Sequence, residues 1–375
     1  MSDIQSLRES IPALESVSYC NYGASGPSPR SVIDAASASL ETHEVDSHVS
    51  GDPYDEAYAT YDRARASVAG VLETDPEAIA MTQSTTDGIN RIACALEWEP
   101  GDVVVRTDLE HPAGILPWRR LERTRDVSVR VVESEAGRLD RQAYERAVEG
   151  ASLVCLSALT WNYGTRLPVR ELGAIAHDAG AFVLVDAVQW VGQAPVNVER
   201  WEVDAVAAAG HKWLLGPWGA GFLYVDSSVV HTLEPRTIGY RGVVEPTERE
   251  YELEPGAARF EVGTTSPAPY AGLVQAIDAL EQIGFDRIED RIEQLARSLT
   301  ERLPADRVQS PLDPESGLIT VAVSDPEQCV ERLAREDIVI RALPDPEAVR
   351  VSLHAVTTME TVDHVVEGLE ECWNE

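Results

Sequence analysis

Residues 153–187 read LVCLSALTWNYGTRLPVRELGAIAHDAGAFVLVDA. Two short runs rich in Val and Leu, LVCLSAL and FVLVDA, flank a segment from Val169 whose apolar residues recur at helical spacing. Strand, crossover helix, strand is the unit of a parallel sheet, whose strands are buried on both faces and so lack polar alternation. The pattern continues outward. Toward the N-terminus stand AIAMT, a helix from Thr85, VVVRT, a helix from Ala113, VSVRVV and a helix from Arg141. Toward the C-terminus, Val206 to Val225 reads VAAAGHKWLLGPWGAGFLYV, two apolar runs joined through Gly210-His211-Lys212 and the turn Gly216-Pro217-Trp218-Gly219. The class is α/β, a mainly parallel sheet with helices on both faces. Such sheets bind ligands at the carboxyl ends of their strands, so the residues just after each strand are the ones to read for chemistry.

Around this centre, residues 1–16 read as an N-terminal arm, and VSYCNYGASGPSP as a brief strand breaking into a small-sided loop able to approach a ligand closely. Amphipathic segments from Pro29 to Val45 and from Tyr54 to Leu72 follow, joined by HVSGDP. After Val225, YELEPGAARFEVGTTSPAPY reads as irregular, and a long helical stretch from Pro269 to about Leu303 breaks near Gly284. The tail offers GLITVAV, a helix near Gln328 to Glu336, IVIRAL, VRVSLH and a last helix from Thr358, an order suited to a smaller α+β domain. The expected division is an arm (1–16), a large domain (17–255) and a small C-terminal domain (256–375).

The 375-residue chain is 44% apolar, enough for a large core. Its 64 acidic residues against 31 basic ones leave a net charge of −33, which opposes binding to nucleic acid or to anionic membranes. That charge, with lysine all but absent, suits a halophilic protein, because molar salt screens repulsion among carboxylates. Five cysteines without CxxC or Cys/His spacing argue for a reducing cytoplasm and against a disulfide framework or a metal site. MSDIQSLRES shows no basic region followed by an apolar stretch, so no signal peptide is read.

Lys212 is the one lysine among those 31 basic residues; all the others are arginine. Arginine supplies a surface charge equally well, but only a primary amine condenses with a carbonyl to form a Schiff base. Gln83-Ser84-Thr85-Thr86-Asp87-Gly88 opens a helix with hydroxyls and free N–H groups, either an ordinary cap or a phosphate site. Asp186 ends a buried strand, where an ionised carboxylate needs a partner such as a protonated ring nitrogen; Gln189 follows, and His111 comes after VVVRTDLE. A phosphate cradle, a buried carboxylate, an imidazole and a single lysine at one sheet edge are the four kinds of group that pyridoxal phosphate requires.

Through STTDGIN, EHPAGILPW, WNYG, VDAVQ, AGHKWLLGPWGAG, RFEVGTT and VRVSLH, in that order, the chain resembles the aminotransferase class V branch of fold-type I pyridoxal-phosphate enzymes over nearly its whole length. The resemblance implies that Lys212 carries the cofactor as a Schiff base, that Asp186 contacts its pyridine nitrogen and that His111 stacks on its ring. Gln189 and Asn162 would lie near the phenolic oxygen. Thr85, Thr86 and His211 would hold the phosphate, and Thr264 would reach the phosphate of a neighbouring subunit, which implies a homodimer with shared active sites. Ala209 departs from the pattern, standing where most relatives place a hydroxyl donor to the phosphate. Arg350 matches the arginine that grips the substrate α-carboxylate, and Arg341 would hold a second acidic group or the same one.

Cysteine desulfurases of this branch carry a catalytic cysteine between these two arginines, but here the segment is only ALPDPEAV. Cys329 and Cys372 read as packing residues. With this short loop, Tyr240-Arg241-Gly242 and FEVGTTSPAPYAGL, the chain is most similar to the branch's cysteine/cystine C–S lyases, which implies β-elimination of a sulfur amino acid to pyruvate and ammonia, with Lys212 removing the Cα proton. Transamination of a small amino acid, epimerisation, desulfuration through an unrecognised thiol, and a non-catalytic pyridoxal-phosphate-binding regulator are the alternatives.

Overall fold

The computed structural model describes residues 2–373. The alternating pattern folds as one seven-stranded sheet in the order Ile79–Thr82, Gly221–Val225, Ala205–Ala209, Phe182–Asp186, Leu153–Ser157, Val103–Thr107, Ser128–Val132. Gly221–Val225 runs antiparallel to both its neighbours, and the other pairings beyond it are parallel. Six of these strands bury every residue or all but one, whereas the edge strand Ser128–Val132 is largely open, as its Arg130 requires.

The connecting helices are set by local chemistry. Asp52, Ser84 and Asp140 each cap a helix with a side-chain oxygen, starting Pro53–Leu72, Thr85–Ala95 and Arg141–Val148. The helix expected from Ala113 starts later, at Leu116, because Pro112–Gly114 first makes a tight turn. The helix from Arg30 also outruns its expected end: a wide turn over Thr42–Asp46 and a last turn Ser47–Ser50 carry it on until Gly51-Asp52-Pro53. No residue before Gly51 breaks the chain, so the polar HVS stays helical.

The C-terminal part is a three-stranded antiparallel sheet of Leu318–Val321, Glu347–Ser352 and Arg341–Pro344, covered by helices Phe285–Thr300, Pro326–Ala334 and Met359–Trp373. Ser18–Tyr19 pairs in parallel with Ile338–Val339, and Asn21 bridges Ser352, so the N-terminal loop is stitched to this sheet. Leu7, Ile11 and Leu14 of the first sixteen residues are buried in the main core. Helix Ala268–Glu281 lies against helices Arg30–Glu41 and Pro53–Leu72. The N-terminal loop is thereby held between the two sheets, at the carboxyl ends of the parallel strands. No helix among the described residues is long and apolar enough to cross a membrane.

Candidate active site

At that edge lies a cavity of about 230 Å³, lined among others by Thr85, Thr86, His111, Asp186, Gln189, His211, Lys212, Arg341 and Arg350. Thr85 and Thr86, His111, Asp186 and Gln189, and His211 and Lys212 follow four strand ends of the large sheet, and Arg341 and Arg350 come from the smaller one, so the two sheets together assemble the set. Gly23 and Ala24 of the N-terminal loop close one side. A Cβ on Gly26 would stand 2.1 Å from the Lys212 carbonyl oxygen, and one on Gly23 2.7 Å from Nη2 of Arg350, so the loop must be glycine to lie this close.

Lys212 sits half-buried in the turn after Ala205–Ala209. The turn is fixed by Gly216 N–H donating to the Gly210 carbonyl and by Leu215 in the left-handed region at φ 58°. Burial, opposed by Asp186 and reinforced by Arg350 and Arg341, lowers the lysine to about 8. Asp186 is 4% exposed, accepts from the Val188 N–H at 3.0 Å, and is raised by burial against the pull of that N–H and of Lys212. His111 packs edge-to-face on Trp161 with centroids 5.4 Å apart. Burial first, then the charges of Lys212, Arg341 and Arg350, lowers it to about 4, so its ring is neutral near neutral pH. His211 is lowered to about 4 by burial and by Lys212, and lies against Trp218 at 4.8 Å.

Arg350 has the most telling environment. It is 1% exposed, its Nη1 donates to the Trp161 carbonyl at 2.7 Å, and its Nε and Nη2 are buried without a partner. Burial first, then Arg341 across the strand pair, lowers it to about 9. A buried guanidinium with no carboxylate is costly unless an anion arrives. Thr85 Oγ1 is likewise buried and unpartnered at the helix N-terminus. In a chain of net charge −33, three cations and the single carboxylate of Asp186 line this cavity. It is built for a ligand with more than one anionic group.

Gln189 lines the cavity, but both ends of its amide are engaged: Nε2 donates to the Gly23 carbonyl and Oε1 accepts from Trp213 Nε1, each at 2.9 Å. Asn162 lies just behind, buried, with Nδ2 donating to the Asp345 carbonyl at 3.3 Å and Oδ1 unpartnered. Thr264 is exposed and lines a separate recess with Tyr61, Gln83 and Arg241, its N–H donating to the Tyr240 hydroxyl at 2.8 Å. That recess is braced by Glu261, which accepts from Arg65 and the Met81 N–H and pairs with Arg241.

Glu110, beside His111, is a site residue that sequence reasoning passed over. Oε1 accepts from the Thr107 hydroxyl at 2.7 Å and the Ser157 N–H at 3.1 Å, and Oε2 from the Ser157 hydroxyl at 2.7 Å. It thus pins the His111 turn to the strand end beside Asp186, because Ser157 is paired with Asp186. Burial raises Glu110 from 4.5 to about 7, against the pull of those bonds. A carboxyl raised on folding costs stability when ionised: as pH rises through 4.5 to about 7 the unfolded chain loses its proton first, and stability falls. Glu110→Gln is expected to remove that fall, improving relative to wild type by up to about 3 kcal/mol between about pH 4 and pH 8 in urea unfolding. A pH-independent difference would refute the assignment. Trp161 was visible only as part of WNYG; its contact with His111 depends on a long-range turn.

Residues 18–365 match the aminotransferase class-V family. A probable cysteine desulfurase of Methanothermobacter thermautotrophicus is 33% identical, with 98% of this chain and 97% of the relative covered. Among solved structures, the apo cysteine desulfurase of Thermococcus onnurineus NA1 superposes with a TM-score of 0.89 at 28% identity, covering 98% of each chain. The cystine C-S lyase C-DES, in complex with its reaction product cysteine persulfide, superposes with a TM-score of 0.90 at 27% identity, covering 96% of this chain and 99% of that one. With its fold, its strand-end residues and this match over most of its length, the chain belongs to the aminotransferase class-V family of fold-type I enzymes.

Proposed function

We propose that the chain is a pyridoxal-phosphate enzyme that cleaves the C–S bond of cysteine or cystine by β-elimination, giving pyruvate, ammonia and a sulfur product. The observation that carries the elimination reading is the hairpin between the two arginines. Arg341–Pro344 turns into Glu347–Ser352 through Asp345-Pro346 alone, with no room for a loop that presents a thiol, and none of the five cysteines lines the cavity. Sulfur must leave without a protein nucleophile.

The residues fit the cofactor. Unpartnered Thr85 Oγ1, with Thr86 and His211, suits its phosphate, Asp186 its ring nitrogen, and His111 and Gln189 its ring, while Lys212 is the amine that bonds it. When bound, pyridoxal phosphate supplies an electron sink for the pair left at the substrate's Cα. Nε and Nη2 of Arg350 take the substrate α-carboxylate, and Arg341 at the open end takes the second carboxylate of cystine. Once the substrate amine has taken its place, the freed Lys212 Nζ, lowered to about 8 by burial, would accept the Cα proton near neutral pH. Asp186 would hold a proton at the ring nitrogen, and neutral His111 would lie against the ring without adding charge. Overall, cystine and water yield pyruvate, ammonia and cysteine persulfide; cysteine and water yield pyruvate, ammonia and hydrogen sulfide.

Product analysis with each amino acid tests the reading. Pyruvate with equimolar ammonia is expected; alanine as the carbon product would replace elimination by desulfuration. Ala209, buried at the end of its strand, adds no hydroxyl, so Ala209→Ser is expected to tighten cofactor binding about fivefold by one net hydrogen bond, read by fluorescence titration. Thr264, outside its own subunit's cavity, serves the phosphate of a second copy in a homodimer; sedimentation as a monomer at micromolar concentration would oppose this. The net charge of −33 supports the reading of a cytoplasm rich in salt, and the sparse, unpaired cysteine pattern that of a reducing one; activity is then expected to rise toward molar potassium chloride. Peak activity in dilute buffer would contradict that reading.

A further inference from the structure

We propose that Cys329 and Cys372 form a redox-active pair that closes to a disulfide and staples the last helix to helix Pro326–Ala334, which packs beside the sheet carrying both cavity arginines. Cys329 is buried on helix Pro326–Ala334, Cys372 is half-buried near the end of helix Met359–Trp373, and their sulfurs lie 2.6 Å apart. That is inside sulfur–sulfur van der Waals contact and longer than the roughly 2.05 Å of a disulfide bond. The pair is held in place independently of the sulfurs. Arg332, one turn from Cys329, pairs with the Glu371 carboxylate and donates to its carbonyl at 3.1 Å. Trp373 Nε1 donates to the Ala322 carbonyl at 3.0 Å, and Arg307 lies over the Trp373 ring. Because neighbouring contacts already order the last helical turn, bringing the thiols together costs little further entropy.

The oxidant class is a small disulfide. The Cys372 thiolate attacks one sulfur of the reagent, breaking its S–S bond and releasing one small thiol, which carries away a proton. Cys329, its thiol pushed up by burial, then attacks Sγ of Cys372 as its proton passes to the departing second small thiol. Two protein thiols are oxidised and one small disulfide is reduced. The bond closes the segment 329–372, which contains Arg341, Arg350 and the hairpin between them. The consequence is resistance of that segment to unfolding, independent of which substrate the cavity takes.

The native chain, treated with 2-hydroxyethyl disulfide, alkylated under native conditions and digested without reductant, tests this. The expected result is a linked peptide pair containing Cys329 and Cys372 and a melting temperature raised by several degrees. Both are reversed by dithiothreitol and absent from Cys372→Ser. Alkylation of both residues, or a stable mixed disulfide on Cys372 with no linked pair, would overturn the proposal.

Discussion

Lys212→Ala is expected to lower turnover of cysteine and cystine by at least about 10⁴-fold, because in the proposed mechanism one amine both bonds the cofactor and moves the Cα proton. No other side chain can substitute: Lys212 is the chain's single lysine, and the guanidiniums, imidazoles and carboxylate that share the cavity include no primary amine. The turn that holds it is rigid, with Leu215 in the left-handed region and Gly26 pressed against the Lys212 carbonyl, so no second amine can be brought to this place. Lysine lowered to about 8 is about one-tenth neutral near pH 7, whereas an ordinary lysine is well under a thousandth neutral. Cofactor uptake by the apo chain should therefore accelerate about tenfold per pH unit up to about 8 and then level off. Turnover retained in the alanine variant would remove Lys212 from the chemistry.

Arg350→Met is expected to cost about 10²- to 10³-fold in kcat/KM, chiefly through KM, because a buried charge pair with the substrate carboxylate is lost from ground and transition states alike. Arg350→Lys should not rescue it, since a point charge cannot replace the two-pronged donor. Stability should move the other way. The guanidinium is lowered on folding to about 9, so as pH falls from its ordinary 12.5 the unfolded chain takes its proton first. Below about 9 the full cost is present, including at neutral pH. Apo Arg350→Met should thus unfold at higher urea than apo wild type, while wild type should gain more from an added carboxylate ligand. A destabilised apo variant would mean that Nε and Nη2 have protein partners after all.

The parallel sheet was legible because buried strands such as LVCLS and FVLVD carry a local signature, and local strand ends then locate Lys212, Asp186, His111 and Thr85. Arg350 was legible through the family resemblance and Arg341 only as a nearby arginine; that the two stand directly opposite each other in a strand pair comes from the fold. What was not legible depends on distant contacts. Nothing in VSYC says that Ser18–Tyr19 pairs with Ile338–Val339, and this pairing brings Gly23 to Arg350. Glu110 looks like one acid among 64 until the fold sets Ser157 against it. The contact between Cys329 and Cys372, 43 positions apart, exists only once two helices pack. That the amide of Gln189 donates to Gly23 and accepts from Trp213, leaving one N–H, likewise follows from tertiary structure alone.

The central claim is that this cavity holds pyridoxal phosphate on Lys212, and a chain with a single lysine allows an unusually clean test. The holoenzyme, reduced with borohydride, digested and analysed by mass spectrometry, is expected to carry one phosphopyridoxyl group on the peptide containing Lys212. An unmodified Lys212 peptide from active enzyme, or label confined to the N-terminal amine, would contradict the account.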